Sequence, residues 1–233
     1  MLAGFGDSIM KGVVLRRLRE DGKPEYELTD RSLVERCAQR LGVPAANYAR
    51  FGCTAAMGEK MVERYEDRLH AGQNVLLCYG GNDSDYDWQS IADQPHTVHE
   101  PKTLLDDFIK AYKGIIERIR LKGATPFIMS LPPMDANRYF GFVTRNLSAT
   151  QRGNVLDWLH GTTDQIIAGH ERYNQTVRQI AAENGVHLLD GSLPLAEGQS
   201  VSDYLCQDGI HPNDAGLSLL ADSLAGQLRA LVA

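Results

Sequence analysis

The sequence has few of the features that mark membrane, secreted or nucleic-acid-binding proteins. No apolar run approaches the ~20 residues that span a bilayer, and the first residues, MLAGFGDS, lack the regions of a signal peptide. Its four cysteines form no Cys-x-x-Cys pair and no zinc spacing. A formal net charge of −6 disfavours nucleic-acid binding, which needs clustered basic charge. We therefore expect a cytoplasmic protein with buried, reduced thiols and no nucleic-acid or membrane partner.

The first turn of the chain, GFGDSIMKG at residues 4–12, also lacks the known phosphate-binding patterns. A dinucleotide fingerprint needs a third glycine where Ile9 stands, and the P-loop signature is absent. The G-x-S-x-G elbow of α/β-hydrolases fails as well, because Met10 follows two residues after Ser8. These absences disfavour a nucleotide-binding flavodoxin-like domain, and no cofactor is expected.

What the chain does have is a regular alternation of short apolar runs and longer amphipathic segments. Runs at 2–5, 47–51, 74–79, 125–131 and 186–189 are typical of buried strands, and stripes with helical spacing lie between them. Asp30 is in place to cap the first long helix. The alternation predicts a single α/β domain over residues 1–233, with a parallel sheet and helices on both faces.

Three segments interrupt this alternation of strands and helices. Each follows a predicted strand, and so lies at the edge of the sheet where ligands bind in α/β folds. Residues 13–28 are predicted to form a hairpin around Asp21-Gly22 whose arginines are solvated, 83–102 a long polar loop, and 132–160 a further insertion. Aromatic residues of the last two either wall a substrate pocket or form a small core under the loops. They are Tyr86, Trp88, Tyr139, Phe140 and Trp158.

A metal site is not expected from the histidines and acids of the polar loop, because their spacing matches no known motif. These residues are Asp93, His96, His99 and Glu100.

The polar residues at the strand ends suggest nucleophilic catalysis. Ser8 follows the first strand, and a serine hydroxyl needs a base to attack at neutral pH. His211 can take that proton, and Asp208, three residues earlier, can orient its imidazole. Gly52 and Asn82 follow two further strands and, with the Ser8 N–H, can donate hydrogen bonds to an oxyanion. Parallel strand ends meet at one edge, so these residues should converge. Asp7 is expected to accept local backbone N–H bonds.

Taken together, GDSI at 6–9, Gly52, GGND at 80–83 and DGIHPN at 208–213 resemble the four blocks of the SGNH hydrolases, or GDSL esterases and lipases. The resemblance implies Ser8 as nucleophile, His211 as base, Asp208 as its partner, and Ser8, Gly52 and Asn82 as the oxyanion hole. It also implies a three-layer α/β/α fold with a five-stranded parallel sheet in the flavodoxin-like order 2-1-3-4-5. Ile9 replaces the usual leucine without changing the chemistry.

We therefore expect a serine esterase that acts on a small ester with a short acyl group, such as an O-acetyl group on a carbohydrate. Lysophospholipase, thioesterase or acyltransferase activity would use the same residues and remains an alternative. A carbohydrate-binding module without catalysis is the alternative from another class, although it would have no use for an oriented Asp208–His211 pair.

Overall fold

A five-stranded parallel sheet forms the centre of the fold. The computed structural model describes residues 1–232. The sheet has the order β4-β1-β5-β6-β7, which is 2-1-3-4-5 among its own strands, as expected. Its strands are β1 (Leu2–Gly6), β4 (Ala45–Asn47), β5 (Asn74–Cys78), β6 (Thr125–Met129) and β7 (His187–Leu189).

Helices cover both faces of the sheet, which gives the three layers of the predicted α/β/α fold. On one face lie α3 (Ala55–Tyr65), α5 (Leu105–Leu121) and α8 (Asp164–Glu183); on the other lie α1 (Ser8–Lys11), α2 (Leu33–Leu41) and α9 (Asp214–Val232). Along the central strand Leu76 packs on one face and Val75 and Leu77 on the other, because successive side chains of a strand alternate. No described helix is long and apolar enough to cross a membrane.

Two local predictions need correction. The second strand of the sheet was expected at 47–51, but β4 spans Ala45–Asn47, so the two ranges share only Asn47. Its hydrogen bonding to β1 nevertheless continues irregularly, since the N–H groups of Tyr48 and Arg50 donate to Gly4 and Gly6 at 2.8 and 3.0 Å. The cap of α2 is Ser32 and not Asp30, because only Ser32 forms the reciprocal capping box with Glu35.

The three insertions are ordered. Residues 13–28 form the expected hairpin, with β2 (Val13–Leu18) antiparallel to β3 (Pro24–Leu28). The segment 83–102 is not a loop throughout, because Asp87 caps a short helix, α4 (Trp88–Asp93). Two more helices, α6 (Ala136–Val143) and α7 (Ala149–Trp158), lie in 132–160. We call residues 83–102 and 132–160 together the cap; its apolar side chains form a cluster separate from the two sheet layers.

Candidate active site

Ser8 stands at the sharp turn between β1 and α1. Asp7, directly before it, caps the helix: its Oδ1 accepts the Ile9 N–H at 2.9 Å, as the sequence predicts. Gly6 permits the turn because a Cβ there would lie 2.8 Å from the Cys78 carbonyl oxygen of the neighbouring strand. Ser8 is the first residue of the helix, so its backbone N–H has no partner within α1 and is available to a ligand.

The imidazole of His211 joins Ser8 to Asp208 in one chain of contacts. His211 Nε2 lies 2.8 Å from Ser8 Oγ, and His211 Nδ1 lies 2.7 Å from Asp208 Oδ2. The other carboxylate oxygen of Asp208 accepts the backbone N–H of His211 at 3.1 Å. Ser8, His211 and Asp208 are only 7%, 3% and 0% exposed. This buried carboxylate can fix the tautomer that leaves Nε2 free to take the serine proton.

The loop that carries Asp208 and His211 is held by its own backbone. The Cys206 N–H donates to the His211 carbonyl at 2.7 Å, and the Gly209 N–H donates back to Cys206 at 3.0 Å. Gly209 has a φ of +78°, and a Cβ there would lie 2.5 Å from the Asp135 carbonyl oxygen of the cap. Only glycine fits this position without displacing the loop.

Asn82 and Gly52 lie on the neighbouring strand ends. The Asn82 side-chain amide donates long bonds of 3.4 Å to Asp7 Oδ2 and to the Cys53 carbonyl. Gly52 precedes Cys53 in a turn with a φ of +67°, and Phe51 on its other side lines the cavity above the serine. The structure thus brings the ends of β1, β4 and β5 and the loop before α9 together at one edge of the sheet.

Two buried carboxyl groups lie beneath this edge. Burial raises the pKa of Asp7 to about 6, although the Ile9 N–H and the nearby His211 act in the opposite direction. Burial also raises the pKa of Asp83 to about 6, partly offset by the Ala55 N–H, which lies 3.0 Å from its Oδ1. The floor of the site is therefore poorly solvated, which strengthens hydrogen bonds aimed at a developing charge.

A cavity of about 690 Å³ opens above Ser8 between the sheet edge and the cap. The imidazole of His211 is flanked there by Tyr26 from the hairpin, edge-on at 5.3 Å, and by Phe51, stacked at 6.1 Å. Neither residue was predicted from the sequence to line the site. The signal for Tyr26 was present: it alternates with Glu25 and Glu27 along β3, so it faces away from these ion-paired glutamates.

Four of the five cap aromatics both line the cavity and pack in the cap core, so the two alternatives are not exclusive. These are Tyr86, Trp88, Tyr139 and Trp158. Phe140 is the exception, since it is buried in the cap core beneath the Arg152 guanidinium and does not line the cavity. The expectation that Phe140 walls the pocket is therefore wrong, because α6 turns Tyr139 toward the cavity and Phe140 away from it.

The remaining reactive groups near the site are unsuited to replace the serine. All four cysteines are buried and unpaired, as predicted. Burial raises the pKa of Cys53 to about 12 and that of Cys206 to about 11, so both stay protonated thiols at neutral pH. Within residues 1–232, histidine, cysteine and acidic side chains form no group of three that could hold a metal ion.

Comparison with known proteins gives a family match over most of the chain. The sequence model of the GDSL-like lipase/acylhydrolase family matches residues 5–219. No curated protein is a significant match. Among solved structures, a lipase/acylhydrolase from Enterococcus faecalis is 15% identical, with a TM-score of 0.60 over 99% of this chain and 95% of its own.

Two further solved structures are similar over almost their whole length. The aryl esterase of M. smegmatis is 16% identical, with a TM-score of 0.60 over 99% of both chains. A carbohydrate acetylesterase from Sinorhizobium meliloti is 13% identical, with a TM-score of 0.61 over 99% of this chain and 98% of its own. At such identities the likeness establishes the fold, and the family match over residues 5–219 adds the family. The chain belongs to the GDSL-like lipase/acylhydrolase family, within the SGNH hydrolase superfamily.

Proposed function

We propose that the protein is a serine esterase that hydrolyses small carboxylic esters with short acyl groups, acetate first, through an acyl-enzyme on Ser8. The observation that carries this proposal is the buried chain of contacts from Ser8 Oγ through His211 to Asp208, at 2.8 and 2.7 Å, beneath an open cavity. A serine without such a base would be a poor nucleophile at neutral pH.

The reaction proceeds in two halves. Ser8 Oγ attacks the ester carbonyl carbon while His211 Nε2 takes its proton, and the imidazolium is stabilised by Asp208. The tetrahedral intermediate collapses, the C–O bond to the alcohol breaks, and the alcohol takes the proton from His211. Water then attacks the acyl-enzyme with His211 again as base, which releases the carboxylic acid and restores Ser8.

Three donors are assigned to the oxyanion: the backbone N–H groups of Ser8 and Gly52 and the side-chain amide of Asn82. Support for Asn82 comes from its two 3.4 Å bonds, which are long for an amide donor and therefore weak enough to exchange for a bond to the oxyanion. The low solvation of the site favours such donors, because they act without competition from water.

The charge of the cavity favours an ester without phosphate or carboxylate groups. Three aspartates line it (Asp7, Asp85 and Asp157), and no lysine or arginine lines it among the described residues. An anionic headgroup, as in a lysophospholipid or a coenzyme A thioester, would find no lysine or arginine to pair with on this lining and would meet these carboxylates. Neutral esters avoid this repulsion. The carbohydrate acetylesterase and the aryl esterase of the same fold are precedents for such substrates.

The test is hydrolysis of p-nitrophenyl esters from acetate to dodecanoate by the wild type and by Ser8→Ala. We expect the acetate to be cleaved fastest and the variant to lose turnover while keeping its fold, measured by circular dichroism. Two results would contradict the proposal. A folded wild type that cleaves none of the esters would favour the non-catalytic binding module, and a Ser8→Ala protein as active as the wild type would exclude Ser8 as nucleophile.

A further inference from the structure

Part of the cavity is lined by polar side chains from the junction of two helices. Asp157 and His160 lie at the end of α7, and Gln165 and His170 lie on the first two turns of α8. None of these four side chains makes a hydrogen bond or ion pair to any other described residue. Asp157, His160 and Gln165 are exposed, and His170 is half-buried. We call these four residues the polar wall.

We infer that the polar wall is a subsite that binds the hydroxyl groups of an uncharged alcohol, as in a sugar or polyol ester, while Ser8 attacks its acyl group. This inference rests on the proposed esterase function and names the alcohol half of its substrate. The cavity of about 690 Å³ is far larger than an acetyl group, so most of its space is left for the alcohol.

The chemistry of the polar wall matches hydroxyl groups, which donate and accept hydrogen bonds at once. Asp157 offers only acceptors when ionised, and Gln165 offers both donors and acceptors. Burial lowers the pKa of His170 to about 4, so its imidazole is neutral at pH 7 and presents one donor and one acceptor. A carboxylate, an amide and a neutral imidazole can therefore satisfy several hydroxyl groups without requiring a charge on the ligand.

The backbone at His160 fixes the position of this part of the wall, because it ends α7. His160 has a φ of +58°, which makes it the one non-glycine residue with a left-handed backbone in the described chain. Glycine adopts this conformation with little strain, and it follows directly at Gly161, with a φ of +80°. The His160 N–H donates to the Asp157 carbonyl at 2.9 Å and the Gly161 N–H donates to the Leu156 carbonyl at 2.8 Å, which is the pattern of a Schellman motif at a helix end. This turn holds the imidazole of His160 on the lining of the cavity.

The surroundings of the wall further restrict the ligand. Trp158 and Tyr86 line the cavity beside it, with ring centroids 5.0 Å apart, and present apolar faces against which the C–H groups of a sugar ring can pack. Asp85 is paired with Lys102 at 2.6 Å, whereas the carboxylate of Asp157 has no cationic partner among the described residues. An anionic alcohol would therefore be repelled.

The experiment compares two acetate esters, p-nitrophenyl acetate and a soluble mono-acetylated methyl pyranoside, in the wild type, Asp157→Ala and His160→Gly. The measured quantity is the ratio of kcat/KM for the sugar acetate to that for the aryl acetate. We expect at least a tenfold fall in this ratio for each variant, mainly through a higher KM for the sugar ester. His160→Gly should also unfold at a higher temperature, because glycine relaxes the left-handed backbone.

Asp164→Ala is the matched control, because this exposed acid lies on the same helix junction but does not line the cavity. Its ratio should equal that of the wild type. An unchanged ratio in both Asp157→Ala and His160→Gly, or a wild type that cleaves the aryl acetate but not the sugar acetate, would overturn the inference while leaving the esterase proposal intact. Failure of the proposed function is distinct, because then neither acetate would be cleaved in a Ser8-dependent way.

Discussion

Replacement of Asp7 by asparagine should change how the stability of the protein depends on pH. The Asp7 carboxyl group is 3% exposed, and burial raises its pKa from 3.8 to about 6. Because the folded state holds this proton more tightly than the unfolded state, Asp7 destabilises the fold once it ionises. The penalty is absent below the unfolded pKa of 3.8, grows as pH rises, and is complete above the folded pKa of about 6.

The size of the effect follows from the pKa shift. One pKa unit corresponds to about 1.4 kcal/mol, so the complete penalty is about 3 kcal/mol, of which about 2 kcal/mol develops between pH 4.5 and 7.5. The asparagine side chain of the variant cannot ionise, yet its oxygen can still accept the Ile9 N–H that Asp7 now accepts at 2.9 Å. The free energy of unfolding of Asp7→Asn, relative to wild type, should therefore rise by about 2 kcal/mol over this range.

Urea unfolding at pH 4.5 and at pH 7.5 measures this quantity for both proteins. Any pH-independent loss caused by the substitution cancels, because only the change between the two pH values is compared. Asp106→Asn, at an exposed carboxyl group in the first turn of α5, is the control and should show a much smaller change. If the stability difference between Asp7→Asn and wild type is the same at both pH values, burial of Asp7 does not raise its pKa as argued.

Three further substitutions test the positions around the serine. Asn82→Ala should lower kcat for p-nitrophenyl acetate by about 10²–10³ with little change in KM, if its amide binds the oxyanion. Tyr26→Ala should lower kcat about tenfold, because the ring no longer packs against His211. Tyr26→Phe keeps the ring, so its kcat should fall less. Equal losses of kcat in the two variants would implicate the hydroxyl group instead of the ring. Gly209→Ala should lower the free energy of unfolding, measured in urea, by about 1–3 kcal/mol, because the added Cβ would clash with the Asp135 carbonyl oxygen. The kcat should fall as well, since this loop carries Asp208 and His211. Unchanged values of both quantities would show that the loop adapts to the added Cβ.

The sheet and the residues around Ser8 were predictable because their signals are local. Five apolar runs of strand length predict the strands, and parallel strands bring their carboxyl ends to the same edge of the sheet. Ser8, Asn82 and His211 each follow such an end or precede a helix, so their convergence needs no knowledge of side-chain packing. The same reasoning could not give exact bounds, as β4 shows: its first residues, Ala45 and Ala46, carry little apolar signal of their own.

The cap was harder to predict because its helices are short and its contacts are distant in sequence. α4 has six residues, too few to show a helical period, and lies in a polar stretch. Its stability comes from packing of Trp88 and Ile91 against residues of 132–160. The local sequence pattern predicts neither this packing nor which of Tyr139 and Phe140 faces the cavity. The role of Tyr26 depends likewise on where the hairpin meets His211.

The separation of the cap core from the sheet layers explains how one fold can keep its chemistry while its substrate changes. Ser8, Asp208 and His211 are held by the turn after β1 and by the backbone of the loop before α9. Within the cap, Asp85 joins the two segments, because it accepts hydrogen bonds from Trp88 and Tyr139 and pairs with Lys102. Substitutions on the polar wall remove none of these contacts. They can therefore alter which alcohol binds without moving the nucleophile, so specificity and catalysis should respond to different mutations.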